Sequence, residues 1–534
     1  MPSEIRNTCP CAARKRKCRC PKSEIRWMVI MAACVVALAS LPYAIIHFST
    51  PPDLRFVGTL LNPLDGDTYL AKMQFGAQGD WLFHLPYTAQ DHSGALILTH
   101  YLALGHIAAW TRLPIPLVYH LARVVAGFVL LLAVYALIAR VTQDLVERRV
   151  AFLFVALSSG LGWLAVMFGN LETSDLVIPE SNTFYSLHIN PHFPLAAALM
   201  VGMLVSEVGG RRSGAGNRQS EVGKAVAFAL ASLALAIVQP FAVVTVYLTL
   251  GVYLILRWRR DDRLSWSSAW SLVIAGGVTL PLLIYTLWVT QADPVLRGWT
   301  AQNVTPSPPV WDYALGYGLI LALAVPGAVV AARRRSDTDL MLLAWVGVTA
   351  LLLYAPFALQ RRFSLGLHIP LAILAAMGLR QMAKERTAMI GAALVATLPT
   401  TLLVIVLALG GGLQRDSRLF VSADEAAAMD WLRDHTPRAA VVLASPEMGL
   451  FIPAWAGRRV VYGHPFETVD AERTRARVQT FFASATSHAE RDAMLREWKA
   501  AFVFVGPRER ALGLGPGREV FRNATVTVYA EGGQ

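Results

Sequence analysis

The sequence predicts a polytopic α-helical membrane protein, with about 11 transmembrane helices and a small C-terminal α/β domain, on three observations. Hydrophobic residues make up 55% of the 534 and charged residues only 16%, with a mean hydropathy of +0.46, too apolar for a soluble globular chain. Predominantly apolar stretches of about 17 to 25 residues, long enough to cross a hydrocarbon core of roughly 30 Å, recur between residues 27 and 409. Lys and Arg gather in short clusters between these stretches, so the net charge of +12 reads as a topology signal and not as a nucleic-acid surface.

In chain order, residues 1–26 form a basic tail in which CPCAARKRKCRC places Cys9, Cys11, Cys18 and Cys20 as two CxC pairs. Four thiolates suffice for a zinc ion, but CxC is tighter than the usual CxxC, so a disordered, reduced cytoplasmic tail without metal is expected. The first span, 27–47, has the basic flank and length of a retained signal anchor. It opens the transmembrane domain, 27–418, whose first outer loop covers 48–116. Within that loop, 95–111 is short and carries His100, Tyr101 and His106, so it is read as a helix lying along the membrane surface.

The remaining spans are then 117–138, 150–169, 191–207, 225–239, 241–256, 268–290, 313–332, 340–359, 364–379 and 388–409. This arrangement gives the cytoplasmic segments about 25 Lys or Arg, clustered at Arg148 and Arg149, Arg211 and Arg212, Arg257 to Arg263 and Arg333 to Arg335. The outer loops keep about six: Arg55, Lys72, Arg112, Arg297, Arg361 and Arg362. Counting 95–111 as a span inverts every later loop and destroys the asymmetry. The N-terminus is therefore expected in the cytoplasm and the C-terminal domain outside, with the protein integral to an inner (plasma) membrane.

That topology collects the chemistry-bearing residues on one face. The first loop contains NPLDGDTYLAKMQFGAQGDW, 62–81, with the carboxylates Asp65 and Asp67 just before Tyr69. DGD is also a common turn composition. The next outer segment, 170–190, carries Glu172, Asp175 and Glu180 and runs into HINPHF, which holds His188 and His192. A very short loop before the tenth span contains Arg361 and Arg362, with His368 shortly after. An arginine pair on the side poor in positive charge has two readings. The side chains snorkel to lipid headgroups, or their planar donors bind the phosphate of a lipid-linked substrate.

From 419 the composition changes to that of an α/β domain, 419–534. Ser422 caps ADEAAAMDWLRDH, with Glu425 completing a capping box. Strand-like AVVLA (440–444), RVVYG (459–463), AFVFVG (501–506) and TVTVYA (525–530) alternate with helical stretches near 471–483 and 488–498. In YGHPFETVD, His464, Glu467 and Asp470 either contact a ligand or hold the domain together.

An Asp four residues before a Tyr, followed by Gly79-Asp80-Trp81 in the first outer loop, resembles the GT-C superfamily of membrane glycosyltransferases, particularly the protein O-mannosyltransferase and aminoarabinose transferase branch. RRFSLGLHIPLAILAAMGL, 361–379, is similar to that group's Arg-aromatic stretch leading into a Pro-containing span. The sequence departs from the family where Asp-Glu becomes Asp65-Gly66, and the double proline after the first loop is absent. Trp311-Asp312-Tyr313 matches part of the oligosaccharyltransferase WWDYG signature, but before a middle span, and is read as chance. Asn303-Val304-Thr305 and Asn523-Ala524-Thr525 are sequons on outward segments.

The resemblance implies transfer of a sugar from a polyprenyl-phosphate donor to a hydroxyl of an acceptor glycan, lipid or protein, at the outer face and with inversion. Asp65 is the implied general base, with Asp67 holding a divalent ion beside it or orienting the loop. Arg361, Arg362 and Lys72 are the implied partners of the donor phosphate, and Tyr69, His188, His192 and His368 the substrate-lining residues. Arginine partners for a lipid-phosphate leaving group make a metal unnecessary, and no cofactor is expected. The alternative is a transporter or flippase of a lipid-linked or amphiphilic solute, although no internal repeat is visible and the spans hold few charges.

Overall fold

The computed structural model describes residues 22–208, 218–384, 386–509 and 517–531. Cys9, Cys11, Cys18 and Cys20 and the Arg211, Arg212 cluster lie outside the described residues.

The described residues begin with α1 (Lys22–Ser49), β1 (Leu54–Phe56), α2 (Pro63–Ala77), α3 (Thr99–Thr111), α4 (Ile115–Val141) and α5 (Leu145–Leu157). Three short helices, α6 (Gly162–Met167), α7 (Ser174–Val177) and α8 (Thr183–His188), precede α9 (His192–Glu207), α10 (Arg218–Val238), α11 (Pro240–Asp261) and α12 (Trp266–Ala292). Next come α13 (Pro294–Gln302), α14 (Val310–Arg334), α15 (Asp337–Leu352), α16 (His368–Ala383), α17 (Thr387–Ala396) and α18 (Pro399–Leu413). Proline stands in the first turn of α2, α4, α11, α13 and α18, where its missing N–H has no helical partner to lose.

Among the described residues, six helical stretches are long and apolar enough to cross a membrane: α1, α4, α11, α12, α14 and the run of α17 and α18. Helix α12 exposes Trp270, Val273, Leu280, Ile284, Leu287 and Trp288, an apolar surface suited to lipid. Helix α16 is buried on all sides from His368 to Leu379 and forms the centre of the bundle. It crosses α14 where a Cβ at Gly327 or Gly378 would collide with the carbonyl of Leu374 or Leu323, the small-residue packing common in membrane bundles.

The expected span 150–169 is interrupted, with α5 ending at Leu157 and α6 starting at Gly162. The loop carrying Arg361 and Arg362 is not very short: α15 ends at Leu352 and α16 starts at His368, leaving 353–367 between them. The apolar run hides this helix end, but Pro356 disfavours helical backbone just before it, and Gly366 takes a positive φ of 81°. The stretch 95–111 yields α3, about 20 Å long at 1.5 Å per residue and too short to span a bilayer. Leu102 and Leu104 are buried on this helix, while Ile107 and Trp110 are exposed. Helices α2 and α3 approach backbone to backbone, because a Cβ at Gly76 would strike the Leu102 carbonyl and one at Gly105 the Met73 carbonyl.

Beyond residue 419 lie β2 (Phe420–Ser422), α19 (Ala423–His435), β3 (Val441–Leu443), α20 (Pro446–Gly449), α21 (Phe451–Trp455) and β4 (Arg459–Val460), followed by α22 (Ala471–Phe482), α23 (His488–Trp498), β5 (Ala500–Val505), β6 (Arg518–Arg522) and β7 (Thr527–Ala530). Ser422 and Glu425 form the capping box at the start of α19. The sheet has order β4-β3-β5-β7-β6, with β3 parallel to β4 and β5 and with β7 antiparallel to both β5 and β6. The sequence reading missed β6, a largely exposed edge strand rich in charge, because REVFR lacks the apolar run that marks its neighbours.

This C-terminal segment is tied to the loop between α1 and α4. Strand β1 pairs antiparallel with β2, Leu54 opposite Ser422 and Phe56 opposite Phe420. The Val460 N–H donates to the Pro86 carbonyl at 2.9 Å, and the Tyr87 hydroxyl donates to the Leu450 carbonyl at 3.2 Å. Val57, Leu70, Met73 and Tyr87 share one apolar core with Val421, Met429, Ile452 and Phe504.

Candidate functional site

Helix α2 sets the geometry of the site. Pro63 opens it, and Asn62 at its N-cap does not cap the backbone but donates from Nδ2 to Asp65 Oδ2 at 2.7 Å. A carboxylate in the first turn of a helix lies at the positive end of the helix dipole. Positions 65, 69 and 72 are spaced i, i+4, i+7, which places Asp65, Tyr69 and Lys72 on one face. Asp67 is two positions on from Asp65, about 200° round the axis at 3.6 residues per turn.

The two carboxylates therefore leave α2 on different faces. The Asp65 side chain is about half exposed, at 49%, whereas Asp67 is fully buried and neither of its oxygens has a hydrogen-bond partner. Burial pushes the Asp67 carboxyl well above the usual carboxylate range, which favours the neutral acid. Among the described residues, no group of three or more His, Cys, Asp or Glu gathers as metal ligands.

On the Asp65 face, the Tyr69 ring stacks on Tyr101 with centroids 4.3 Å apart and lies 5.0 Å from His192. The Tyr101 hydroxyl and His192 Nδ1 are hydrogen-bonded at 2.5 Å, which fixes the first-loop helices against the start of α9. Lys72 does not point to a free anion site. Its buried ammonium bonds Glu467 Oε1 at 2.7 Å and the Thr68 carbonyl at 3.3 Å, and it lies over the Tyr69 ring.

Glu180 lies within electrostatic reach of both Asp65 and the arginine pair. It is buried just before α8, and burial raises its carboxyl above the usual range while Arg362 and Arg361 pull it down and the charge of Asp65 adds to the rise. Arg362 and Asp65 both act on the Tyr69 phenol as well. The first-loop carboxylate and the two guanidinium groups thus belong to one electrostatic neighbourhood despite their distance in sequence. The Nε–H groups of Arg361 and Arg362 are buried without a protein hydrogen-bond partner, and the Arg361 backbone N–H is fixed by the Thr305 carbonyl at 3.1 Å.

Two of the four lining candidates are held in packing networks. His188 Nδ1 bonds the Ala39 carbonyl at 2.8 Å, below Tyr43 and Arg123. His368 is bonded by Ser158 Oγ at 3.1 Å and Thr183 Oγ1 at 2.9 Å and stacks on Tyr317. The sequence left Glu180 among several loop acids and His464 and Glu467 among ambiguous polar residues. Their placement has no periodic signal, since each reaches the site from a loop.

No protein-family model matches this sequence, and no curated protein does. Solved structures do match it. Apo ArnT from Cupriavidus metallidurans aligns over 96% of this chain and 100% of its own, at 15% identity and TM-score 0.55. The same protein bound to undecaprenyl phosphate aligns over 95% and 99%, at 15% identity and TM-score 0.54. The apo oligosaccharyltransferase of Archaeoglobus fulgidus aligns over 90% of this chain and 69% of its own, at 14% identity and TM-score 0.57. At these identities the likeness is one of fold: the chain shares the fold of the GT-C membrane glycosyltransferases.

Proposed function

We propose that the protein is a membrane glycosyltransferase that moves a sugar from a polyprenyl-phosphate donor to an acceptor hydroxyl. The observation that carries this reading is the half-exposed Asp65 carboxylate, set in the same electrostatic neighbourhood as Arg361 and Arg362, whose Nε–H donors lack partners. The fold is shared with an ArnT that binds undecaprenyl phosphate, a lipid of the donor class assigned here.

In the proposed reaction the acceptor oxygen attacks the anomeric carbon and the bond from that carbon to the phosphate oxygen breaks. Asp65 takes the acceptor proton as general base. The polyprenyl phosphate leaves with an added negative charge, which the guanidinium groups of Arg361 and Arg362 stabilise. One base and one direct displacement give inversion. The asymmetry of Lys and Arg supports a topology of about 11 spans with the N-terminus in the cytoplasm and the C-terminal segment outside an inner membrane, and with it chemistry on the outer face. The acceptor is a glycan, a lipid or a protein.

The test is mass spectrometry of envelope lipids and glycans from cells with the wild-type protein, without it, and with Asp65→Asn at equal membrane abundance. A sugar increment missing in both of the latter, with accumulation of the polyprenyl-phosphate sugar, is expected. An undiminished increment with Asp65→Asn rules out this base.

A further inference from the structure

The loop between β4 and α22, with sequence GHPFETVD, reaches from the C-terminal segment to the N-terminal turn of α2. The backbone N–H groups of Phe466 and Glu467 both donate to His464 Nδ1, each at 3.1 Å. A nitrogen that accepts two hydrogen bonds carries no proton, so the neutral ring holds its proton on Nε2. That N–H is buried, has no hydrogen-bond partner, and lies 3.9 Å from Asp65 Oδ1. The other carboxylate oxygen, Oδ2, is already bonded by Asn62.

The loop itself is fixed. The Thr468 N–H bonds the His464 carbonyl at 2.9 Å, and Gln302 Nε2 donates to the carbonyls of Phe466 and Thr468. Glu467 is held by Lys72 on the same face of α2 as Asp65. At the loop's start, a Cβ on Gly463 would strike the Gly449 carbonyl and crowd the Tyr87 ring, so the strand end lies flush on the first loop. The imidazole is thus held by its loop, while Asp65, half exposed and held at Oδ2 by Asn62, is the partner able to turn.

We propose that His464 is a positioning residue for Asp65, its Nε2–H donating to Oδ1 while Asn62 holds Oδ2, so that the C-terminal segment fixes the carboxylate in the orientation that receives the acceptor proton. The present 3.9 Å exceeds a hydrogen bond, and a small rotation of the carboxylate closes it; bonds of this kind commonly tighten when a catalytic complex assembles. Each carboxylate oxygen retains a further lone pair, so the two donors leave room for the proton. This inference rests on Asp65 being the base.

Two substitutions separate positioning from loop structure. Asn at position 464 keeps an acceptor near the place of Nδ1 for the two loop N–H groups but has nothing at the place of Nε2, whereas the Gln amide extends to that place. In cells lacking the native copy, His464→Asn is expected to slow appearance of the sugar increment roughly 10- to 100-fold at equal membrane abundance, and His464→Gln to recover much of it. A rate for His464→Asn equal to wild type overturns the inference, as does an equal loss for Asn and Gln. Asp65→Asn runs beside them: if it also stays active, the base assignment has failed, while its inactivity beside a fully active His464→Asn rejects only the role of His464. An independent readout uses the full-length protein in nanodiscs, labelled with 15N-histidine. The His464 signal, identified by its loss in His464→Gln, is expected to show a bare Nδ1, a protonated Nε2 and a change in Asp65→Asn. A protonated Nδ1, or a signal blind to Asp65→Asn, overturns it.

Discussion

Lys72 and Glu467 meet as a buried ion pair, Nζ to Oε1 at 2.7 Å, with their side chains 1% and 12% exposed. The contact joins α2 to the loop that carries His464, so it fixes the C-terminal segment at the proposed active site.

Breaking this pair on one side strands a buried charge. Glu467→Leu or Lys72→Met alone is expected to destabilise the protein by about 3 to 5 kcal/mol. The double substitution, which removes both charges, is expected to recover most of the loss. Thermal unfolding of the purified protein in detergent measures this, and additive losses in the double variant contradict the coupling.

Asp67 is expected to tolerate Asn. Its folded carboxyl is raised by burial above the ordinary value near 3.8, so the folded state binds the proton more tightly than the unfolded chain does. The stability from this group is fully present below the ordinary range and declines as pH rises towards the raised folded value. Asp67→Asn keeps a neutral side chain at every pH. Its unfolding temperature should equal or exceed wild type at neutral pH and fall less between pH 4 and neutrality than that of wild type, as followed by unfolding scans across pH (roughly the interval above an unperturbed Asp).

Arg362 tests the leaving-group assignment. Arg362→Met is expected to reduce transfer about 10- to 100-fold, the scale of losing hydrogen bonds to a charged group. Arg362→Lys should restore only part of it, because a point charge does not reproduce the planar donor fork. Initial rates of sugar-increment formation decide this; full activity in Arg362→Met removes the residue from the mechanism.

Gly105 tests the support of α2. With Leu at this position the side chain meets the Met73 carbonyl and forces α3 away from α2, at a cost of about 1 to 3 kcal/mol. Both unfolding temperature and transfer rate should fall, whereas Gly202→Ala, where a Cβ meets nothing within 4 Å, should change neither.

The signals for α2 are present in the sequence, although DGD reads there as a turn composition. Pro63 after Asn62 is a helix-start signal, and Asp65, Tyr69 and Lys72 follow helical spacing. Read as a turn, DGD suggests a carboxylate pair; read as the first turn of a helix, it separates Asp65 from Asp67. Pro356 carries a similar signal, but the apolar run to 359 hid the end of α15 at Leu352. Glu180, His464 and Glu467 had no comparable signal, because a polar loop residue carries no period that says what it faces.

The sequence by itself determined that the chain is apolar enough for a membrane, where its basic clusters lie, and that Asp65 stands four residues before Tyr69. These follow from composition and local spacing, which are properties of neighbouring residues. Only the tertiary structure decided that Asp65 lies in one neighbourhood with Glu180, Arg361 and Arg362, that Lys72 is held by Glu467, and that His464 reaches the carboxylate. The contacts of Lys72 with Glu467 and of His464 with Asp65 join residues nearly 400 positions apart, where β1 pairs with β2 and the C-terminal core packs on the first loop. The physical reason is that local sequence sets the direction in which a side chain leaves its own helix, while its partner is chosen by the burial that folds distant segments together.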